Sequence, residues 1–304
     1  MATSLQEHNT IISPLKTIFS DFFELTKARL ALSVVFSSLA GFLIAADEIN
    51  FDVIFLLIIG GYCMVGSSNI FNQIIEKDSD AVMNRTKNRP IPSGRISVSV
   101  AFLVAVLLTL IGVVVLYRIN ATTALFGSIS IFIYACIYTP LKQKTPLSVF
   151  VGAIPGAIPF MLGWIAATNE FGIEAITLFS IQFFWQFPHF WALGWMLHED
   201  YEKAGINLLP TKKKDKSSAL QTVLYTIWMI MICLLPVSGL TGALKLSVFS
   251  AFLIGVIGIV MLYFSIQLYN LMNTNSAKKL FNASVICLTL VQTIFVLDKY
   301  ILWI

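Results

Sequence analysis

Apolar side chains fill this chain in runs of membrane length, and polar side chains collect where those runs end. Nine such runs fall at 30–47, 53–75, 98–117, 121–139, 148–168, 175–197, 219–240, 247–268 and 280–303. A hydrocarbon core about 30 Å thick takes ~20 apolar residues in helical form, and backbone groups in lipid must satisfy one another internally. The pattern predicts an all-α, polytopic membrane protein with nine transmembrane helices. Residues 1–304 read as a single integral membrane domain, with 1–27 as a cytoplasmic or interfacial N-terminal segment. Inside that segment, "PLKTIFSDFFELTKARL" alternates apolar and polar residues at helical spacing. It fits either a helix along the interface or an extension of the first span.

Charge gives the spans a direction. With the N-terminus inside, nine crossings leave only Arg118, Lys245 and Lys299 on the far side, and every other Lys and Arg faces the cytoplasm. That bias predicts N-in, C-out. The first residues lack the apolar stretch of a cleavable signal peptide. Composition agrees with a membrane protein and excludes an ordinary soluble domain, since 57% of residues are hydrophobic and 12% charged, against roughly 25% charged in soluble domains. Cys63, Cys136, Cys233 and Cys287 lie inside apolar runs without paired spacing, so they read as small hydrophobes. No nucleic-acid partner is expected; the bilayer is.

Against this background, "NQIIEKDSDAVMNRTKNRPIPSGR" at 72–95 stands out, because ionisable groups at membrane depth are costly and usually face a cavity or a partner. On a helix continuing from the second run, Asn72, Glu76 and Asp80 fall at i, i+4 and i+8, within an arc of about 80°. Asp78 points elsewhere. Mg²⁺ takes oxygen ligands, few of them from protein, and this stack suits it. Arg85, Lys87 and Arg89 follow, on a chain that Pro90, Pro92 and Gly94 turn. Acids on one face and bases on the next loop would clamp a diphosphate between metal and cations.

Two further clusters lie on the same side. "WQFPHFWALGWMLHEDYEKAG" at 185–205 places Pro188 and His189 within the sixth run, with Asp200 and Tyr201 at its cytoplasmic end. "YTPLKQKTP" at 138–146 carries Lys142 and Lys144, which serve either topology or phosphate contact. The second and sixth runs both end in polar clusters, four helices apart. This spacing suggests two four-helix halves plus a ninth helix, with the clusters facing each other across a central cavity.

The N-x-x-x-E-x-x-x-D pattern at 72–80 and the "NRTKNRPIPSGR" after it resemble the first acidic motif of the UbiA-type intramembrane prenyltransferases. "FFELTKARLAL", "YTPLKQKTP", "GAIPGAIPFMLGW", "WQFPHFWAL" and "DYEKAGINLLP" are similar, in order, to the haem-directed branch (haem O synthase, protohaem IX farnesyltransferase), over roughly residues 20–215. There are departures. Glu76 stands where the family usually has Asp, leaving Glu76 or Asp78 as the middle ligand, and Ala28 replaces a proline. The second acidic motif of quinone-directed relatives is reduced to Glu199-Asp200-Tyr201.

The resemblance implies farnesyl diphosphate as donor, haem B as acceptor, Mg²⁺ as cofactor and haem O as product, destined for haem–copper oxidases in a bacterial cytoplasmic (inner) membrane. It implies Asn72, Glu76, Asp80 and Asp200 as metal ligands, and Lys27, Arg29, Arg85, Lys87, Arg89, Lys142 and Lys144 as diphosphate contacts. His189 would ligate the haem iron or bond near it, and Tyr201 would position phosphate or anchor at the interface. Contact with haem A synthase or oxidase assembly factors would follow from such a product. The alternatives are the same fold acting on an aromatic acid or quinone precursor and, less in keeping with charges confined to helix ends, a membrane transporter.

Overall fold

The computed structural model describes residues 14–302, with side chains described from 19 to 301. The first thirteen residues of the expected N-terminal segment and the last residue of the ninth run lie outside this range. Helices make up nearly all of the regular structure, and no strand occurs among the described residues. In chain order they are α1 (Pro14–Leu25), α2 (Ala28–Ala45), α3 (Phe51–Ile75), α4 (Lys77–Val82), α5 (Val98–Tyr117), α6 (Ala121–Phe132) and α7 (Thr139–Leu141). A π-helical turn, Ile133–Tyr138, joins α6 to α7. Then come α8 (Ser148–Thr168), α9 (Ile173–Met196), α10 (His198–Lys203), α11 (Lys216–Leu234), α12 (Val248–Leu271) and α13 (Thr274–Leu297).

Starts are written locally. Asn50, Ser97, Asn120, Asp215, Ser247 and Asn273 each accept a backbone N–H with the side chain, capping α3, α5, α6, α11, α12 and α13. The segment before the first span is a helix of its own. α1 ends at Leu25, and Lys27 adopts φ 50°, ψ 55°, a left-handed conformation unusual for a residue with a β-carbon. Arg95 ties α1 down through Asp21 at 2.9 Å and Glu24 at 3.0 Å.

Eight of the nine predicted runs are helices long and apolar enough to cross a membrane. The sixth, α9, has the length, at 24 residues, but Gln182, Gln186, His189 and Pro188 lower its hydropathy. Large apolar side chains such as Phe102, Leu110, Val114, Phe249, Phe252 and Ile259 are exposed on the outer faces. A surface of that kind suits lipid and not water. The chain is a multi-pass integral membrane protein.

Packing follows the two-half expectation. α3 packs between α2 and α5, and α5 against α6; α9 packs between α8 and α11, and α11 against α12. α13 closes on α12, α9 and α2, while α8 joins the halves by packing on α2, α6 and α9. The α2–α8 crossing is close enough to need glycine. A β-carbon on Gly163 would meet the Ser38 carbonyl oxygen at 1.9 Å, and one on Gly41 would meet that of Phe160 at 2.1 Å. Small residues let helices in lipid approach and gain dispersion contact. Beside this crossing lies an apolar cavity of about 40 Å³, lined by Val35, Ser38, Gly61, Met64, Ser68 and Ile158 among others. Ser68, Met64 and Gly61 place it one to three turns below Asn72 on α3.

Candidate active site

Both polar clusters hang from the same local device. α3 gives way to the six-residue α4 at Glu76, with φ −91°, ψ 12°; α9 gives way to the six-residue α10 at Leu197, with φ −103°, ψ 15°. The expected continuous helix over 72–80 is therefore two helices with a turn between them. At the turn one acceptor is shared. The Glu76 carbonyl accepts the Asp80 N–H at 2.7 Å and also the Ser79 hydroxyl at 3.0 Å, and such side-chain bonds bend helices. The i, i+4 register survives, because the Glu76 N–H still reaches the Asn72 carbonyl at 2.9 Å. Aligning the two junctions sets Leu193, Leu197 and Tyr201 opposite Asn72, Glu76 and Asp80. The second half thus lacks the oxygen-bearing face of the first.

In the first half, Asn72, Glu76 and Asp80 are buried, and each meets one cation. Lys27 Nζ donates to Asn72 Oδ1 at 3.2 Å, and Asn72 Nδ2 donates to Thr139 Oγ1 at 3.2 Å. Lys142 Nζ lies 2.8 Å from Glu76 Oε1 and 4.5 Å from the centre of the Tyr138 ring, a cation–π contact. Arg89 Nη1 lies 2.7 Å from Asp80 Oδ2, and Thr86 Oγ1 donates to the Asp80 carbonyl at 2.8 Å. Three cations thus face two carboxylates and an amide. Burial, then Arg89 and Lys142 nearby, pulls the Lys27 ammonium down to about 7. The left-handed turn at Lys27 is what carries its ammonium to Asn72, so the backbone strain sits at the site.

Asp80 Oδ1 is buried and has no hydrogen-bond partner. A buried carboxylate oxygen without a donor is costly, and a hard cation would satisfy it. Among the described residues, no three His, Cys, Asp or Glu side chains converge as a ready metal cage. Two carboxylates and an amide fit Mg²⁺, which draws its other ligands from water and substrate phosphate.

The remaining predicted residues are placed differently. Asp200 accepts the backbone N–H of Asn84 at 2.9 Å and of Arg85 at 3.3 Å, with Lys203 Nζ at 3.6 Å. These amides, Asn84 first, hold its carboxyl below the usual range. Asp200 therefore latches α10 onto the loop after α4 and brings the two clusters together. Tyr201 is buried, and burial pushes its phenol up. Arg29, Asp78, Arg85, Lys87 and Lys144 are exposed, so they do not enter the buried cluster. Thr86 and Thr139 belong to the cluster without having been singled out; Thr139 lies inside the quoted "YTPLKQKTP".

His189 is held between rings one turn and more below. It stacks on Trp185 at 4.7 Å and 22°, and on Phe281 at 4.6 Å and 27°. Its Nδ1 is 2.8 Å from Ser284 Oγ on α13. Beside it Phe187, Trp191 and Tyr225 form a ring cluster with centroids 4.4–5.4 Å apart.

The pattern of the UbiA prenyltransferase family matches residues 34–289. A protoheme IX farnesyltransferase of Flavobacterium psychrophilum is 59% identical over 293 residues, which is 95% of this chain and 98% of that one. A solved structure concerning digeranylgeranylglyceryl phosphate synthase superposes with TM-score 0.76 at 19% identity, over 92% of this chain and 98% of its own. A UbiA homolog from Archaeoglobus fulgidus bound to GPP and Mg²⁺ superposes with TM-score 0.64 at 14% identity, over 90% and 99%. With eight apolar spans, a buried oxygen face ringed by cations and this extent of likeness, the chain belongs to the UbiA prenyltransferase family.

Proposed function

We propose that the chain transfers the farnesyl group of farnesyl diphosphate to a vinyl group of haem B, making haem O for haem–copper oxidases. One observation carries the reading. Asn72, Glu76 and Asp80 form a buried oxygen face matched by Lys27, Lys142 and Arg89, in a family of prenyltransferases whose relatives are named for this reaction. Asn72, Glu76 and Asp80 would hold Mg²⁺, with Asp200 supporting a second ion or the outer shell. Mg²⁺ when bound supplies positive charge against the departing diphosphate.

The chain's own residues do the rest. Lys27, Lys142 and Arg89 leave their oxygen partners for phosphate oxygens, and preorganised cations of this kind stabilise charge as it develops. Arg29, Arg85, Lys87 and Lys144 gather the anion at the rim, and Tyr201 closes its floor. The prenyl tail runs toward the apolar cavity below Asn72. Rings near α9 face the allylic cation, which π-faces stabilise. The haem vinyl π-electrons form the new C–C bond to farnesyl C1 as its C1–O bond breaks. Water then adds to the resulting cation and releases a proton. His189 meets the haem iron. α9 completes the count as the sixth of nine crossings, the orientation is N-in and C-out, and the host is a bacterial cytoplasmic membrane. Docking of haem A synthase or oxidase assembly factors on the cytoplasmic loops would pass the product on.

The test is direct. Purified protein with haem B, labelled farnesyl diphosphate and Mg²⁺ should yield labelled porphyrin. Transfer of label to an aromatic acid or quinone precursor, with haem left untouched, would overturn the reading.

A further inference from the structure

The His189 imidazole is fixed on more sides than packing alone requires. Ser284 Oγ lies 2.6 Å from the Phe281 carbonyl, one turn back on α13, and 2.8 Å from His189 Nδ1. A hydroxyl has one proton and two lone pairs. The proton is committed to the Phe281 carbonyl, so toward His189 the hydroxyl is an acceptor, and Nδ1 is the protonated ring nitrogen. This tautomer follows from the hydrogen-bond network, as it must where hydrogens are assigned. Ser284 is itself fixed, for it is fully buried and its carbonyl accepts the Trp185 indole N–H at 2.6 Å. Trp185 and Phe281 hold the ring plane from both faces.

What remains is Nε2. It has no hydrogen-bond partner among the described residues, and it points from the ring edge opposite Ser284. A neutral imidazole that donates through one nitrogen presents a lone pair on the other. Ligating histidines are oriented and made more basic by such a donated N–H. His189 sits about 10 Å below the cytoplasmic end of α9, counting seven residues to Met196 at 1.5 Å each. A planar acceptor held there would lie below the end of α9 that leads to Asp200 and Tyr201.

We infer that Ser284 is a positioning residue: it holds His189 as the Nδ1–H tautomer, with the ring turned so that Nε2 offers its lone pair to the iron of the haem acceptor. This rests on the reading above that His189 meets the iron. Nothing in the Ser284 side chain touches the reacting atoms, so its effect is carried through the imidazole.

The experiment reads haem coordination and not turnover. Purified full-length protein is titrated with haem B, and the Soret band and the iron–histidine stretch of the ferrous form are recorded. Four proteins are compared: unaltered, His189→Ala, Ser284→Ala and Ser284→Cys, each checked for unchanged thermal unfolding. His189→Ala should lose the histidine-ligated signature, and added imidazole should restore it. Ser284→Ala should keep haem binding, weaken it about tenfold and lower the iron–histidine stretch. Ser284→Cys, a weaker acceptor of similar size, should fall between. If both Ser284 variants match the unaltered protein while His189→Ala loses the signature, the positioning role is wrong and the ligand reading stands. If His189→Ala leaves the signature intact, the ligand reading is wrong and the inference falls with it. Should Ser284→Ala unfold, Ser284→Cys decides alone.

Discussion

Arg89 Nη1 lies 2.7 Å from Asp80 Oδ2, while the other oxygen of the same carboxylate is buried without a partner. The pair is half of a site: one oxygen neutralised by the chain, the other left for something the chain does not supply. Asp80→Asn keeps the shape and removes the charge. Farnesyl transfer should fall by about 10²-fold or more, in line with loss of one preorganised charge contact at a reacting group. The Mg²⁺ concentration needed for half-maximal diphosphate binding should rise in parallel. Unchanged Mg²⁺ dependence in this variant would remove Asp80 from the metal.

Glu76 and Lys142 form a mostly buried ion pair, with side chains 9% and 12% exposed. Removing one partner of such a pair strands the other and costs about 3–5 kcal/mol when burial is complete; with these exposures the lower end applies. Lys142→Met should therefore lower the unfolding temperature more than the Glu76→Gln, Lys142→Met double variant does, although both should be inactive. Equal unfolding temperatures would mean the pair is solvated.

Lys27 gives the site a pH dependence. Its ammonium is drawn down to about 7, so the free site loses this charge as pH rises through that value. A bound diphosphate would hold the proton on, so binding takes up a proton above pH ~7 and none well below it. Affinity for the diphosphate should be flat below that point and then fall, approaching about tenfold per pH unit. Lys27→Arg stays charged and should flatten the profile, as isothermal titration across buffers would record. A slope shared by both proteins would assign the proton elsewhere.

Gly163 tests the joint between the halves. A β-carbon there would lie 1.9 Å from the backbone oxygen of Ser38, an atom that cannot rotate away. Gly163→Ala should destabilise by about 1–3 kcal/mol, the range for overpacked cores. Gly255, where a β-carbon would meet nothing within 4 Å, should accept alanine without loss. Thermal unfolding in detergent compares the two.

The sequence made the spans and the cationic loop legible because length and charge are one-dimensional signals. Asn72, Glu76 and Asp80 were readable as one face because i, i+4 spacing survives even a turn. The break at Glu76 was not readable, since spacing alone does not show that the Ser79 hydroxyl joins the backbone N–H at the Glu76 carbonyl. That both oxygens of Asp200 also hold loop amides was not readable, since a loop's path in space leaves no periodic mark. Ser284 was invisible for another reason. One serine in a helix of ordinary membrane composition gains meaning only from the ring it meets on α9.

The latch formed by Asp200 has a kinetic meaning. Its two hydrogen bonds to backbone amides join the loop after α4 to α10, so these pieces travel together or not at all. A guest arriving from the aqueous phase would have to undo that clasp at every turnover. One that slips in sideways, its greasy chain never leaving the bilayer, would leave the clasp fastened.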